Sequence, residues 1–143
     1  LKTVQNVDSA KWSTKIEGNT LFCNTVLDDS RVYVATNDEN YPISCGVTCL
    51  DYESGNVVWF YQTENSVKNN VKLSSGKLVA QDCEGNVYCL DAENGEELWT
   101  VKLGFAYAIS TSSGICIDND MIYAGTPDSV YALNINDGSV VWY

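Results

Sequence analysis

The chain has 143 residues, of which 19 are acidic and 8 basic, so its formal net charge is −11. This charge repels phosphate backbones and anionic lipid surfaces, which disfavours nucleic-acid and membrane-surface roles. The sequence contains no histidine, which excludes Ser-His and Cys-His nucleophilic pairs and histidine-ligated zinc, and no apolar run approaches the ~20 residues of a membrane-spanning helix.

The first predicted element surrounds Trp12. Apolar alternation from Trp12 to Ile16 predicts the last strand of a degenerate preceding unit, and we assign residues 1–18 to that strand or to a linker. Val4 and Asp8 occupy the positions that an acid and a glycine hold in the later copies. The chain does not begin with methionine, and we expect a processed chain or a fragment of a longer protein.

After this segment the chain divides into three units with the same order of elements. Each unit contains four runs of about five residues, separated by turns that carry Gly, Asn or Asp, which is typical of an all-β meander. The first unit has a longer second loop at residues 36–44. The predicted units are residues 19–62, 66–103 and 104–143, and the strands of the second unit are 70–73, 77–81, 86–90 and 96–101.

One phrase occurs in each unit at a period of about 40 residues, which indicates stacked repeat units. An acid or amide stands eight residues before a tryptophan, and a glycine stands four residues before it. The acid or amide is predicted to close an Asx turn, and the glycine to take the left-handed position that ends a type I turn with a G1 bulge. We expect the indole to cover the seam to the next unit. The three sets are Asp51/Gly55/Trp59, Asp91/Gly95/Trp99 and Asn134/Gly138/Trp142.

The second copy, Val87 to Asp91 with Gly95 and Trp99, resembles the repeat of the pyrroloquinoline-quinone-like (quinoprotein dehydrogenase-like) β-propellers. That family contains quinoprotein alcohol dehydrogenases, non-enzymatic relatives and propeller domains attached to other modules. The resemblance implies an all-β propeller of four-stranded antiparallel blades, with about three blades and a strand of a preceding one. It also implies that the three repeated sets form tryptophan-docking motifs.

Three blades do not make a closed ring, because closed propellers have 4–8 blades. Either more blades follow in a parent protein, or two chains complete one ring, or the arc stays open. An open arc exposes unpaired strand edges and favours self-association.

A quinoprotein fold does not by itself imply a bound quinone. The dehydrogenases of the family carry two adjacent cysteines that form a disulfide over the cofactor, and acid and amide ligands for calcium. No two of the six cysteines are adjacent here. Asp118-Asn119-Asp120 resembles a short calcium loop, but it offers too few oxygens and aligns with ordinary turns. We therefore expect no catalytic residue, metal or cofactor, and PQQ with calcium only if the chain belongs to an enzyme.

The cysteines are expected to be structural. Cys49 and Cys89 share a repeat position with Ala132, which indicates a small apolar group packed against a neighbouring strand. Cys45 and Cys49 lie too far apart on one strand for a disulfide without a bend.

The segments that join one unit to the next are the candidates for ligand binding. In a propeller these crossings face the central channel, where a small polar ligand or a peptide binds. The alternative is that their polar groups satisfy backbone atoms near the axis. The candidate residues are Asn24, Lys68, Asn69, Asn70, Tyr107 and Ser110.

These observations favour a non-catalytic β-propeller segment that provides a binding or scaffolding surface within a larger, extracytoplasmic protein (periplasmic, cell-surface or secreted). The expected partner is a protein or a small polar ligand. Two alternatives remain open: a fragment of a PQQ-dependent alcohol dehydrogenase-like enzyme, and an accessory propeller attached to a catalytic domain such as a metallophosphoesterase.

Overall fold

The structure, a computed structural model, describes residues 10–20, 23–38, 44–104 and 114–143. These residues form twelve short β-strands. The strands are β1 (Thr25–Leu27), β2 (Arg31–Thr36), β3 (Gly46–Asp51), β4 (Val57–Gln62), β5 (Val67–Ser74), β6 (Lys77–Asp82), β7 (Asn86–Asp91), β8 (Glu97–Lys102), β9 (Ile115–Asp118), β10 (Met121–Gly125), β11 (Val130–Asn134) and β12 (Val140–Trp142).

The strands form three four-stranded antiparallel sheets, each a meander in chain order. Sheet 1 contains β1 to β4, sheet 2 contains β5 to β8, and sheet 3 contains β9 to β12. In each sheet we call the first strand inner and the last strand outer. The predicted all-β fold with three four-stranded units is confirmed.

The sheets stack face to face through two apolar layers. Between sheets 1 and 2, Tyr33 and Val47 pack against a cluster that includes Leu78 and Leu90. Between sheets 2 and 3, Val87 of sheet 2 shares a cluster with residues of β9, β10 and β11. Sheet 2 is therefore covered on both faces, and five consecutive residues of β6 and five of β7 are buried. A strand buried on both faces loses the polar alternation of a one-sided sheet.

Residues 11–18 lie against sheet 1 without pairing with a strand. The sequence predicts a strand here, but a strand needs a neighbour to complete its ladder, and this segment bonds a loop instead. Trp12 Nε1 donates to the carbonyl of Tyr52 at 3.0 Å, and Thr14 Oγ1 donates to the carbonyl of Gly55 at 2.5 Å. We call residues 10–18 the strap.

The inner strand of sheet 2 begins earlier than predicted and contains a bulge. Val67 pairs with Asp82 and Val71 pairs with Ala80, so residues 68–70 stand opposite Gln81 alone. Extra residues of this kind bend a strand and re-aim its side chains. The bulge lies at the end of β5 that follows the crossing from sheet 1.

The turn between β9 and β10 contains the Asp118-Asn119-Asp120 sequence. Asp118 pairs with Met121 across a two-residue turn, and Asn119 has a φ of 50°. Ser75 occupies the matching turn between β5 and β6 with a φ of 49°. The geometry is therefore that of a tight hairpin turn, which favours positive φ.

Candidate functional site

The loop between the third and fourth strands has the same geometry in all three sheets. In sheet 1, Asp51 Oδ1 accepts hydrogen bonds from the amide and the hydroxyl of Ser54, at 2.8 and 2.7 Å. These bonds lower the pKa of Asp51, and the Ser54 hydroxyl contributes most. The corresponding acceptors are Asp91, which receives the amides of Glu93 and Asn94, and Asn134, which receives the amide of Asn136.

The glycine of each loop is left-handed, with φ of 73° at Gly55, 76° at Gly95 and 71° at Gly138. The loop is one residue wider than a type I turn, because the amide of Gly55 bonds the carbonyl of Asp51 and the amide of Asp51 bonds the carbonyl of Asn56. The register shift of the hairpin lies between Cys49 and Leu50, away from the glycine. The predicted left-handed glycine is present, whereas the predicted G1 bulge is replaced by this wider loop.

The indole of one segment lies on the glycine loop of the next sheet. Nε1 of Trp59 donates to the carbonyl of Ala92 at 3.2 Å, and Nε1 of Trp99 donates to the carbonyl of Ile135 at 2.9 Å. A Cβ built on Gly95 would lie 2.7 Å from the Trp59 ring, which is closer than van der Waals contact allows. We call this arrangement an indole–loop contact, and Trp12 makes the same contact with Gly55.

Trp142, the last tryptophan of the repeated sets, does not make an indole–loop contact among the described residues. It is half-exposed and packs on Tyr123, with ring centroids 6.0 Å apart. No further sheet lies over it among the residues that the structure describes. Two indoles of the repeated sets, Trp59 and Trp99, therefore contact the next sheet, and the third, Trp142, is uncovered. Trp12 of the strap makes one more indole–loop contact, with sheet 1.

The inner-strand residues proposed as ligand contacts are partly engaged by the protein itself. The Asn24 amide donates to the carbonyl of Val71 at 3.0 Å and accepts from the amide of Val71 at 3.3 Å. These two bonds tie β5 to the residue that precedes β1. The geometry of Asn24 therefore matches the alternative in which the polar groups of the crossings satisfy backbone atoms.

The other members of that proposed site are less closely defined. Lys68 is half-buried in the bulge of β5 and has an interaction partner. Asn69 and Asn70 belong to β5, but their side chains lie outside the description. Tyr107 and Ser110 lie outside the described residues, and all five positions remain predictions.

A polar groove of about 470 Å³ opens between sheets 1 and 2, at the end where the glycine loops lie. Several of its polar side chains already bond one another. Arg31 lies 3.3 Å from Asp51 Oδ2, and the Tyr33 hydroxyl donates to Asp28 at 3.0 Å. The sequence analysis does not identify this groove, because its walls come from different units and meet only when the sheets stack.

A buried carboxylate at the opposite end of sheet 2 is also absent from the sequence-based candidates. Asp82 is 2% exposed, and its Oδ2 accepts from the Tyr88 hydroxyl and the Asn86 amide, both at 2.8 Å. Burial, together with the neighbouring Asp82 charge, raises the pKa of Tyr88. A buried charge with this many donors is held in place, so the cluster fixes the turn between β6 and β7.

Cys49 and Cys89 carry free thiols. Both residues are fully buried, so the prediction of structural thiols at this repeat position is confirmed. Burial raises the pKa of each to about 11, which keeps both protonated near neutral pH.

By the family resemblance, a quinone and calcium site would have adjacent cysteines and a set of acid and amide ligands. No two cysteines are adjacent, and the described part of the chain holds no group of three or more His, Cys, Asp or Glu side chains that could hold a metal. One buried acceptor, Oε1 of Gln81, lacks a hydrogen-bond partner. A single amide oxygen is far from the six to eight oxygens that calcium takes.

The outer strands expose apolar side chains. Seven apolar residues of β4, β8 and β12 are between 40% and 56% exposed, namely Val57, Val58, Phe60, Leu98, Val140, Val141 and Trp142. Each outer strand also has one side without a strand partner among the described residues. We call these three strands the rim. No helix in the described ranges is long and apolar enough to cross a membrane.

Stacked four-stranded meanders of this repeat define a partial β-propeller of the quinoprotein type. BamB from Moraxella catarrhalis shares the fold with a TM-score of 0.67 and 19% sequence identity, and the match covers 85% of this chain and 35% of that chain. A europium-containing methanol dehydrogenase shares it with a TM-score of 0.66 and 21% sequence identity, and this match covers 82% of this chain and 23% of that chain. The predicted resemblance to the pyrroloquinoline-quinone-like propellers is confirmed.

The amino-acid sequence assigns the chain to a particular family within this fold. The family model described as outer membrane protein assembly factor BamB matches residues 3–143, and the chain belongs to this family. The outer membrane protein assembly factor BamB of Escherichia coli K12 is 34% identical over 77 residues, which are 49% of this chain and 20% of that protein. The chain spans about a fifth of the length of this curated relative.

Proposed function

We propose that the chain is a non-catalytic, protein-binding segment of a β-propeller that acts outside the cytoplasm. Its family is named for the assembly of outer membrane proteins, which is consistent with both the location and a protein partner. The described residues include no group of three or more His, Cys, Asp or Glu side chains that could hold a metal, which supports a non-catalytic role. The observation that carries the proposal is the rim.

The rim combines two properties that suit an extended polypeptide. Its exposed apolar side chains recur on all three sheets, whereas scattered single apolar residues need no partner. Its unpaired backbone edge offers hydrogen-bond donors and acceptors to an added strand. A net charge of −11 favours a cationic partner. We therefore propose an extended, cationic segment with alternating apolar side chains as the occupant.

The test uses a fluorescently labelled short peptide of alternating valine and lysine and measures its anisotropy as the chain is added. The proposal predicts saturable binding and slower hydrogen exchange of the amides in the outer strands. A second peptide carries proline in place of alternate valines. Because proline has no amide hydrogen to donate to a ladder, this peptide should bind far more weakly.

Phe60→Lys places a positive charge on the rim and removes an apolar contact, so it should weaken binding of the valine–lysine peptide. Ser13→Lys adds the same charge on an exposed residue of the strap and serves as the matched control. Equal binding of both peptides, or equal effects of both substitutions, would contradict the rim as the binding surface.

The non-catalytic part of the proposal has a separate test. The chain is titrated with pyrroloquinoline quinone in the presence of calcium, and the absorbance of the quinone is followed together with dye-linked alcohol oxidation. We expect no saturable spectral change and no turnover. Turnover by this chain would establish the enzyme alternative.

A further inference from the structure

We propose that the face of sheet 3 that no other described residue covers binds the strap-covered face of sheet 1 in a second copy of this chain, so that copies associate head to tail. The surface concerned is a sheet face, which shares Trp142 of β12 with the rim but does not use the unpaired backbone edges of the outer strands. The two interfaces between neighbouring sheets inside the chain show which face of one sheet packs on which face of the next. The second copy is inferred because it carries the matching face.

The uncovered face of sheet 3 repeats the face that sheet 1 presents to sheet 2. The strand registers align Tyr123 with Tyr33 and Ala132 with Cys49, because each pair holds the same place in its hairpin. Trp142 pairs with Ala132 as Trp59 pairs with Cys49. A face that is buried in sheet 1 thus recurs in sheet 3, where Trp142 is 50% exposed.

The aromatic pair on this face already has its interface geometry. Tyr33 and Trp59 have ring centroids 5.9 Å apart and an interplanar angle of 44°. The values for Tyr123 and Trp142 are 6.0 Å and 47°. In the covered pair, the Trp59 indole donates to the carbonyl of Ala92 at 3.2 Å, and the Tyr33 hydroxyl oxygen lies 3.2 Å from the same carbonyl. A pair that is ordered before binding loses little side-chain entropy on association.

The receiving face belongs to sheet 1. Val32 and Leu50 hold the places of Leu78 and Leu90 in sheet 2, and both leucines of sheet 2 are fully buried by sheet 1. The carbonyl of Tyr52, in the glycine loop of sheet 1, corresponds to that of Ala92. The elements that received Trp59 in sheet 2 are therefore present again in sheet 1.

The strap fills this face incompletely. It bonds the loop through Trp12 and Thr14, and its Lys11–Glu53 ion pair is largely exposed, a kind of pair that contributes little. Between the strap and the sheet remains a groove of about 500 Å³, lined largely by apolar side chains that include Val32, Val34 and Leu50. A whole sheet face would fill this volume, whereas the described residues of the strap do not.

The geometry makes the strap a competitor for the second copy. Trp142 of one copy would take the position of Trp12 in the other, and the carbonyl of Tyr52 would exchange one indole donor for another. The contact joins two different faces, so it is heterologous and generates a closed ring or an open chain of copies.

The experiment is sedimentation velocity of the 143-residue chain over a wide concentration range under reducing conditions. The unaltered chain should show a mass that rises with concentration. Trp142→Ala should be monomeric at concentrations where the unaltered chain associates, and Trp12→Ala should associate at lower concentrations because the strap no longer competes. Leu98→Ala removes an equally exposed side chain from an outer strand and should behave as the unaltered chain.

A second measurement covers the case in which Trp12→Ala fails to fold. Cys116 is exposed and pairs with Tyr123, so it lies on the proposed face of sheet 3. Its alkylation rate in the unaltered chain, followed by peptide mass spectrometry, should fall as the concentration rises. A monomer at all concentrations with constant Cys116 reactivity overturns the proposal, as does association that Trp142→Ala and Leu98→Ala leave equally intact.

Discussion

The indole of Trp59 lies on Gly95 of the next sheet, and a Cβ built on that glycine would be 2.7 Å from the ring. Because the same glycine has a φ of 76°, two requirements act on it together. The backbone must be left-handed, and the position must carry no side chain. The chain offers a way to separate the two requirements.

Gly95→Ala should lower the free energy of unfolding by about 3 kcal/mol, through left-handed strain and overpacking together. Gly76→Ala is the matched control, since Gly76 has a φ of 75° and nothing lies within 4 Å of the Cβ position. We expect a loss of about 1 kcal/mol there, from backbone strain alone. The change in unfolded-state entropy is common to both substitutions. Urea denaturation followed by circular dichroism measures the difference, and equal losses would show that the indole contact imposes no steric requirement.

The contact between an indole and the left-handed glycine of the next unit was largely predictable from the sequence. The spacing of Asp91, Gly95 and Trp99 recurs three times, and local chemistry requires the turn and the left-handed glycine whatever the neighbouring sheet is. The tie between Asn24 and Val71 was not predictable, because a single amide can meet a ligand, water or backbone, and only the position of the next sheet decides which. The bulge of β5 depends in the same way on contacts between units.

Trp99→Ala should destabilise the chain by about 3 kcal/mol, since the indole packs in the layer between sheets 2 and 3 and large-to-small changes in such layers have costs of this order. Trp142→Ala should have an effect within about 0.5 kcal/mol in the monomer, as at ordinary surface positions. Far-UV circular dichroism during denaturation, at a concentration where the chain is monomeric, compares the two. A loss below about 0.5 kcal/mol for Trp99→Ala would remove the interpretation that the indole holds adjacent sheets together.

Stability should fall in alkaline solution because of the buried thiols. Burial raises the pKa of Cys89 to about 11 in the folded chain, whereas an unfolded cysteine has a pKa of about 8.5. Between these values the unfolded chain loses a proton that the folded chain retains, so the free energy of unfolding decreases as the pH rises through this window and levels off above it. The decrease is about 1.4 kcal/mol for each pH unit and each such thiol.

The measurement is urea denaturation at several pH values between about 8 and 11 under reducing conditions, which spans the window between the two pKa values. Cys89→Ala is the informative variant, because Ala132 occupies this position in the third unit. It should show a shallower decrease than the parent chain. An unchanged slope would mean that the thiol does not carry the effect.

Asn24→Asp tests whether this side chain holds adjacent sheets together. The substitution keeps the acceptor but removes the amide that donates to the carbonyl of Val71. It also places a carboxylate beside that carbonyl, so we expect a loss of about 1–3 kcal/mol in the free energy of unfolding. Asn56→Ala is the control, because Asn56 is exposed and should lie within about 0.5 kcal/mol of the parent chain. A purely ligand-binding Asn24 would instead leave stability unchanged in both variants, and urea denaturation distinguishes the two roles without knowledge of any ligand.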